Sequence, residues 1–264
     1  MAPDEVVGAT LPPVPRAPSR PLCVAGVLEP RLWRLGERPP SPPRPGDLPL
    51  LLLLDRRARP PSRPPVDLLA TLSTPERERH ASYRREADQD RFLQGRAALR
   101  QVLGQWLGQA PEAVLLRTGA HGKPHCPDAP AFNLSHSGAL ILLAFHAHGA
   151  VGVDVERQQP DRDWRAIART VFPPARVAAL EALAAGERAA AYLQAWCRLE
   201  ARLKARGEGL AGLGRLRRHD GVSGWETLWD VRVPPGYGAA LALAIPLKDP
   251  PVEAAGAGHP SPPA

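Results

Sequence analysis

Asp154 and Glu156 stand two residues apart in the stretch AVGVDVE at 150–156. In an extended strand that spacing sends both side chains out of one face. Two like charges side by side disfavour each other's ionisation unless something compensates them. Such a pair can flank a scissile bond as acid and base, hold a hard cation, or mark a solvated strand end. Val151, Val153 and Val155 alternate with the acids and claim the opposite face for a core, so the carboxylates need not be buried. A third acid lies further on, in AWCRLEARLKARGEGL, where Glu200 and Lys204 are four apart and share a helix face with Trp196 one turn earlier. They form either an exposed ion pair worth about 0.2–0.5 kcal/mol or a third oxygen ligand with a lysine beside it for phosphate. Three carboxylates without a His/Cys cluster suit Mg²⁺, which keeps several waters and takes phosphate oxygens as its other ligands.

These residues need elements to hold them. LPLLLLL at 48–54 reads as a buried strand, too short to span a bilayer. Ser73 or Thr74 as N-cap, Pro75 in the first turn and Glu76 just inside open a helix. From Phe92, the apolar Leu93, Ala97, Val102, Leu103 and Trp106 recur at helical spacing and give a second helix a buried face, which Gly108 ends. AVLLRT reads as a strand, and GAHGKPHCPDAP as turns. AFNLSHSG, ALILLAFHA and AVGVDVE read as three closely spaced strands. Residues 163–210 are helical in pieces, interrupted by Pro173-Pro174, broken at Gly186 and ended by Gly207 and Gly209; WETLWDVRVPP and GYGAALALAIP then read as a hairpin or meander of strands. Helices followed by antiparallel strands, twice over, predict an α+β fold with two similar halves.

The 264 residues are enough for one large domain or two small ones, and a hydrophobic fraction of 44% is ordinary for a soluble protein. The 33 prolines are not ordinary, and many lie before residue 66 or after 245. This predicts a Pro/Arg-rich, mostly disordered extension over 1–46, in which CVAGVLEPRLWRL docks on the body. Halves at 47–149 and 150–249 and a disordered tail at 250–264 complete the expected layout. The formal charge is +7; six Arg against four acids in 1–46 leave +5 on the remainder, a balance that suits phosphate-bearing or acidic partners. No zinc-finger spacing or aromatic RNA-binding signature points to nucleic acid. Cys23, Cys126 and Cys197 show no metal-type pairing and cannot all pair internally, which fits a reducing compartment. The start lacks a signal-peptide pattern. A cytoplasmic protein is expected.

Four motifs in series, GKP at 122–124, FNLSHS at 132–137, GVDVE at 152–156 and WCRLEARLKARGEGL at 196–210, resemble those of the 4′-phosphopantetheinyl transferases. The similarity is to the larger, pseudo-dimeric single-chain type, surfactin-synthetase-activating, and spans roughly 48–248. It departs at Leu199, where the family has a lysine before the helix glutamate. The resemblance implies two halves related by a pseudo-twofold, with coenzyme A bound between them. It further implies transfer of 4′-phosphopantetheine to the serine of an apo acyl or peptidyl carrier protein by a monomer, with Mg²⁺ as cofactor and no membrane involved.

On the same footing Asp154, Glu156 and Glu200 hold the metal, Glu200 is also the general base, and Lys204 stabilises the diphosphate. Ser135 and His136 contact phosphate, Lys123 sits in the Gly-Lys-Pro turn near the cofactor, and Arg77 and Arg91 hold the 3′-phosphate or adenine end. The carrier is expected to dock where Arg162, Arg165, Arg169 and Arg176 mix with Val171, Phe172, Val177 and Leu180; a solvated helix with its apolar side in the core is the other possibility. Trp164, Trp196, Trp225 and Trp229 are expected in the core. Two alternatives stay open: a non-catalytic module that binds coenzyme A or carrier protein, and a Mg²⁺-dependent phosphohydrolase.

Overall fold

The computed structural model describes residues 20–21, 24–57, 67–119, 121–214, 221–222 and 226–244. Residues 1–19, the tail 250–264 and Trp225 therefore lie outside the described residues. The longer elements are β1 (Val24–Leu28), β2 (Arg31–Leu32), β3 (Leu50–Asp55), α1 (Thr74–Ser82), α2 (Glu86–Leu107), β4 (Ala131–Ser137), β5 (Leu140–His146) and β6 (Ala150–Arg157). They continue with α3 (Trp164–Val171), α4 (Pro174–Glu181), α5 (Ala185–Arg206), β7 (Glu226–Val231) and β8 (Tyr237–Ala244).

Two four-stranded sheets result, ordered β2-β3-β5-β4 and β1-β7-β8-β6. Each half runs strand, helices, hairpin, and in each the last strand lies between the other two: β5 between β3 and β4, β8 between β6 and β7. The repeated connectivity is the α+β layout with two similar halves that the order of elements predicts.

Period-two alternation explains why the aliphatic strands are buried on both faces. Leu52 and Leu54 join Ile141, Leu143 and Phe145 under α2, whose Ala98, Leu99, Val102 and Leu103 cover them. Leu51 and Leu53 point the other way and meet Val151, Val153 and Val155 across the gap between the sheets. On the far side of the second sheet Ala240, Ala242 and Ala244 of β8 meet Cys197, Ala201 and Ala205 of α5. The layers thus run α2, first sheet, second sheet, α5, with α3 and α4 packed over α5. Cys126 and Cys197 are buried free thiols.

Several local expectations need correction. Residues 24–35 dock on the body as expected, β1 pairing in parallel with β7 and β2 with β3, but the proline-rich stretch that follows to 46 is held as well. Trp33 is 3% exposed, and Trp106 donates its indole N–H to the Pro40 carbonyl at 2.7 Å, which anchors proline-rich chain through one aromatic on each side. AVLLRT is not one strand: Ala113 ends a 3₁₀ turn at Pro111–Ala113, and only Arg117–Thr118 are extended in a pairing strand. Gly186 lies in the first turn of α5 and does not break it; the break falls at 182–184. Pro174 opens α4, and left-handed Gly108 and Gly207 close α2 and α5.

Candidate active site

The site is set by where α5 crosses β6. Gly152 lies at the crossing: a Cβ there would collide with the Ala201 carbonyl oxygen and the Ala205 amide nitrogen. Only glycine lets the helix lie this close to the strand. Asp154 and Glu156 leave the same face of β6 as Gly152, while Val151, Val153 and Val155 enter the core between the sheets. Glu200 and Lys204 share a side of α5 and come down onto the acids. Together Asp154, Glu156, Glu200, Lys204 and Trp196 line a pocket of about 250 Å³, completed by Ser135 and His136 of β4. Trp196, expected only in the core, is half-buried and also forms part of this wall.

Asp154 is 2% exposed, more deeply placed than an alternating strand required. Lys204 Nζ donates to its Oδ1 at 2.6 Å and to Ser135 Oγ at 3.1 Å, and Ser135 in turn donates to Asp154 at 3.0 Å. Glu156 accepts from Ser137 Oγ at 2.6 Å. Burial raises the Glu156 carboxyl above its usual range, and the charge of Asp154 adds to it. Burial also raises Glu200, with Asp154 and Glu156 reinforcing it against the pull of Lys204. Desolvation pulls Lys204 down, but Asp154, Glu200 and Glu156 outweigh it and raise its pKa. Acids that resist ionisation and a lysine that keeps its proton describe a site with excess negative charge.

The donor set suits a hard cation. Asp154 Oδ2 is buried without a hydrogen-bond partner, an oxygen whose burial is unfavourable unless something meets it. Among the described residues no three His, Cys, Asp or Glu side chains are gathered tightly enough to hold one ion as placed. The carboxylates face one pocket but have not closed on a common point, with the Lys204 ammonium on Asp154 Oδ1.

His136 and Glu156 also line a larger, open cleft of about 800 Å³ that contains Arg56, Arg57, Arg91 and Arg157. The walls of the cleft desolvate the His136 ring, though it is open to solvent, and the charges of Arg91, Lys204 and Arg56 push its pKa down further. Arg56 escaped notice in the sequence; nothing in a chain with so many arginines marks the one that follows β3. Its guanidinium donates to the Gly138 carbonyl at 3.0 Å and pairs with Asp90, which fixes it at the cleft wall.

Three expected ligand positions fare differently. Arg77 is exposed on α1, donates to the Leu72 carbonyl at 2.8 Å and to Thr74 at 3.1 Å, and lines neither cavity. Lys123 donates to the Val151 carbonyl at 2.8 Å and the Lys204 carbonyl at 2.7 Å, and burial lowers its pKa to about 8. It clamps the end of α5 to the start of β6 and lies outside the carboxylate pocket. Ser135 is buried and holds Asp154, so its hydroxyl is already engaged.

Leu199 is 7% exposed in the core under α3 and α4, where an ammonium would be desolvated. Neither neighbouring arginine substitutes for the missing lysine: Arg198 pairs with Asp230 at 2.7 Å and Arg202 with Glu226 at 3.1 Å, both on β7. The expected carrier surface loses its apolar part, because Val171, Phe172, Val177 and Leu180 are buried beneath α3 and α4. Arg165 and Arg169 remain exposed there and pair with Glu181.

Residues 150–226 match the 4′-phosphopantetheinyl transferase superfamily, and residues 59–148 match the 4′-phosphopantetheinyl transferase N-terminal region. The two matches fall on the two halves of the fold, and the chain belongs to this superfamily. A Synechocystis sp. relative, slr0495, is 36% identical over 147 residues, 54% of this chain and 60% of its own. The 4′-phosphopantetheinyl transferase HetI of Nostoc sp. is 35% identical over 155 residues, 57% of this chain and 65% of its own. The Escherichia coli K12 transferase AcpT is 37% identical over 120 residues, 45% of this chain and 58% of its own. The chain thus spans less than two thirds of the length of each of these relatives. Among the described residues no helix is long and apolar enough to cross a membrane.

Proposed function

We propose that this chain transfers 4′-phosphopantetheine from coenzyme A to a serine of an apo acyl or peptidyl carrier protein, releasing adenosine 3′,5′-bisphosphate. The observation that carries the proposal is the junction of two cavities at His136 and Glu156: a pocket with three carboxylates and a lysine, and a cleft with four arginines, Arg56, Arg57, Arg91 and Arg157. A molecule with a diphosphate at one point and a further phosphate on its nucleotide end matches that distribution of charge. The nucleotide end lies in the cleft against Arg91 and Arg56, and the diphosphate lies in the carboxylate pocket beside His136 and Lys204.

Asp154, Glu156 and Glu200 are the residues that would hold Mg²⁺. Bound there, the ion neutralises charge on the phosphates and on the departing group. Lys204, whose ammonium stands on Asp154 Oδ1 at the pocket wall, supplies a positive charge to the phosphates. Glu200 accepts the proton of the carrier serine. The serine oxygen bonds to the phosphorus nearer pantetheine, the bridging P–O bond of the diphosphate breaks, and the nucleotide leaves as the bisphosphate. The pseudo-twofold single-chain form needs no second copy to complete this set, since all the residues named come from one chain.

Mass spectrometry of an apo-carrier protein incubated with the chain, coenzyme A and Mg²⁺ tests the proposal. A gain of one phosphopantetheine is expected. An unchanged carrier refutes the transfer, and inorganic phosphate in its place indicates a phosphohydrolase.

A further inference from the structure

β4 and β6 are edge strands of different sheets, and they lie side by side without a main-chain ladder between them. Side chains make the join. Asn133 Oδ1 accepts from the Val153 amide at 2.8 Å, Ser135 Oγ from the Val155 amide at 3.3 Å, and Ser137 Oγ from the Arg157 amide at 3.0 Å. Alternate residues of one strand meet alternate amides of the other in the same chain direction. The two serines go further: Ser135 donates to Asp154 at 3.0 Å and Ser137 to Glu156 at 2.6 Å.

We propose that Asn133, Ser135 and Ser137 are positioning residues, side-chain rungs that fix the acids of the second half against the first, with Ser137 setting Glu156. Main-chain pairing would draw the strands to about 4.8 Å and close the seam. Rungs one side chain long hold them at wider spacing and still satisfy β6 amides that would otherwise be orphaned. A hydroxyl accepts from an amide and donates to a carboxylate at once, which is what positions 135 and 137 require. Asn133 stands opposite Val153, which Gly152 precedes in place of a carboxylate, and only an acceptor is needed. The register is fixed as well, because a slip of one residue would turn all three rungs to the wrong face. Leu134 and His136, between the rungs, are left to line the carboxylate pocket.

The kinetic part of the test rests on the proposed transferase activity; the exchange part does not. Site-resolved amide hydrogen exchange is measured on the ligand-free full chain carrying Ser137→Ala, Ser137→Thr or Asn133→Ala. In S137A the Arg157 amide is expected to exchange at least about tenfold faster while Val153 stays within about twofold, and S137T restores the wild-type pattern. N133A is expected to reverse the pattern, speeding Val153 and sparing Arg157. In the carrier assay S137A lowers kcat about tenfold with the KM for coenzyme A within about twofold, again restored by threonine. Wild-type exchange at Arg157 in S137A overturns the proposal, and so does faster exchange with unchanged kcat. If the wild-type chain transfers nothing, the transferase activity is what fails, and the exchange pattern alone upholds or overturns the rungs.

Discussion

Asp154→Asn separates the two acids of β6 in a way that their equal spacing hides. The carboxylate is 2% exposed and holds Lys204 at 2.6 Å, so asparagine removes the negative charge and leaves the ammonium without its closest partner. Removing one member of a buried pair costs roughly 3–5 kcal/mol. The Lys204 side chain retains 30% exposure and has Glu200 and Glu156 nearby, which brings the cost below that range, to about 2–3 kcal/mol. For a chain of this size that is a fall in Tm of roughly 4–12 °C. Glu156→Gln is expected to behave oppositely. Its carboxyl is raised by burial first and then by Asp154, so at neutral pH its ionisation opposes folding, and glutamine should hold Tm or raise it. The assay is thermal unfolding of the ligand-free chain in chelator at pH 7, followed by circular dichroism. Adding Lys204→Met to D154N should recover most of the loss, because a neutral pair leaves no buried ion exposed to desolvation. A D154N variant that melts with the wild type, or an E156Q variant that falls equally far, refutes the ion-pair account.

Lys123 has a folded pKa near 8 against an ordinary 10.5, so the unfolded chain binds the extra proton between those values and stability rises with pH across that window. Urea unfolding at pH 8 and pH 10.5 should show a gain of about 3 kcal/mol in the wild type that Lys123→Met lacks, and parallel curves would contradict it. Gly152→Ala should lift α5 off β6 and abolish transfer along with several degrees of Tm; a soluble variant with wild-type turnover would show that the crossing has slack. Glu200→Gln keeps the shape but cannot take a proton, so kcat should fall by about 10²-fold or more while coenzyme A affinity, read by calorimetry, changes less. Equal loss of both would leave Glu200 as a ligand alone.

The sequence by itself determined the pieces whose periods are local. Alternation in VGVDVE put Asp154 and Glu156 on one face and three valines on the other, and the spacing of Glu200 and Lys204 put them on one side of a helix. The repeated order of helices and hairpins was legible for the same reason, since strand and helix periods are written in consecutive residues. Docking of CVAGVLEPRLWRL was legible but its partners were not, because composition does not report that Trp33 has a pocket or that two short strands pair with residues 21 and about 200 positions away. Only the tertiary structure decided which charges face each other. Arg56 and Arg91 reach the cleft and Arg77 does not, although no local pattern distinguishes them. Lys123 and Ser135 look available in the chain, yet contacts from α5 and β6, both distant in sequence, engage them. Which partner meets a side chain depends on how sheets and helices cross, and that crossing is set by packing volumes such as the missing methyl of Gly152.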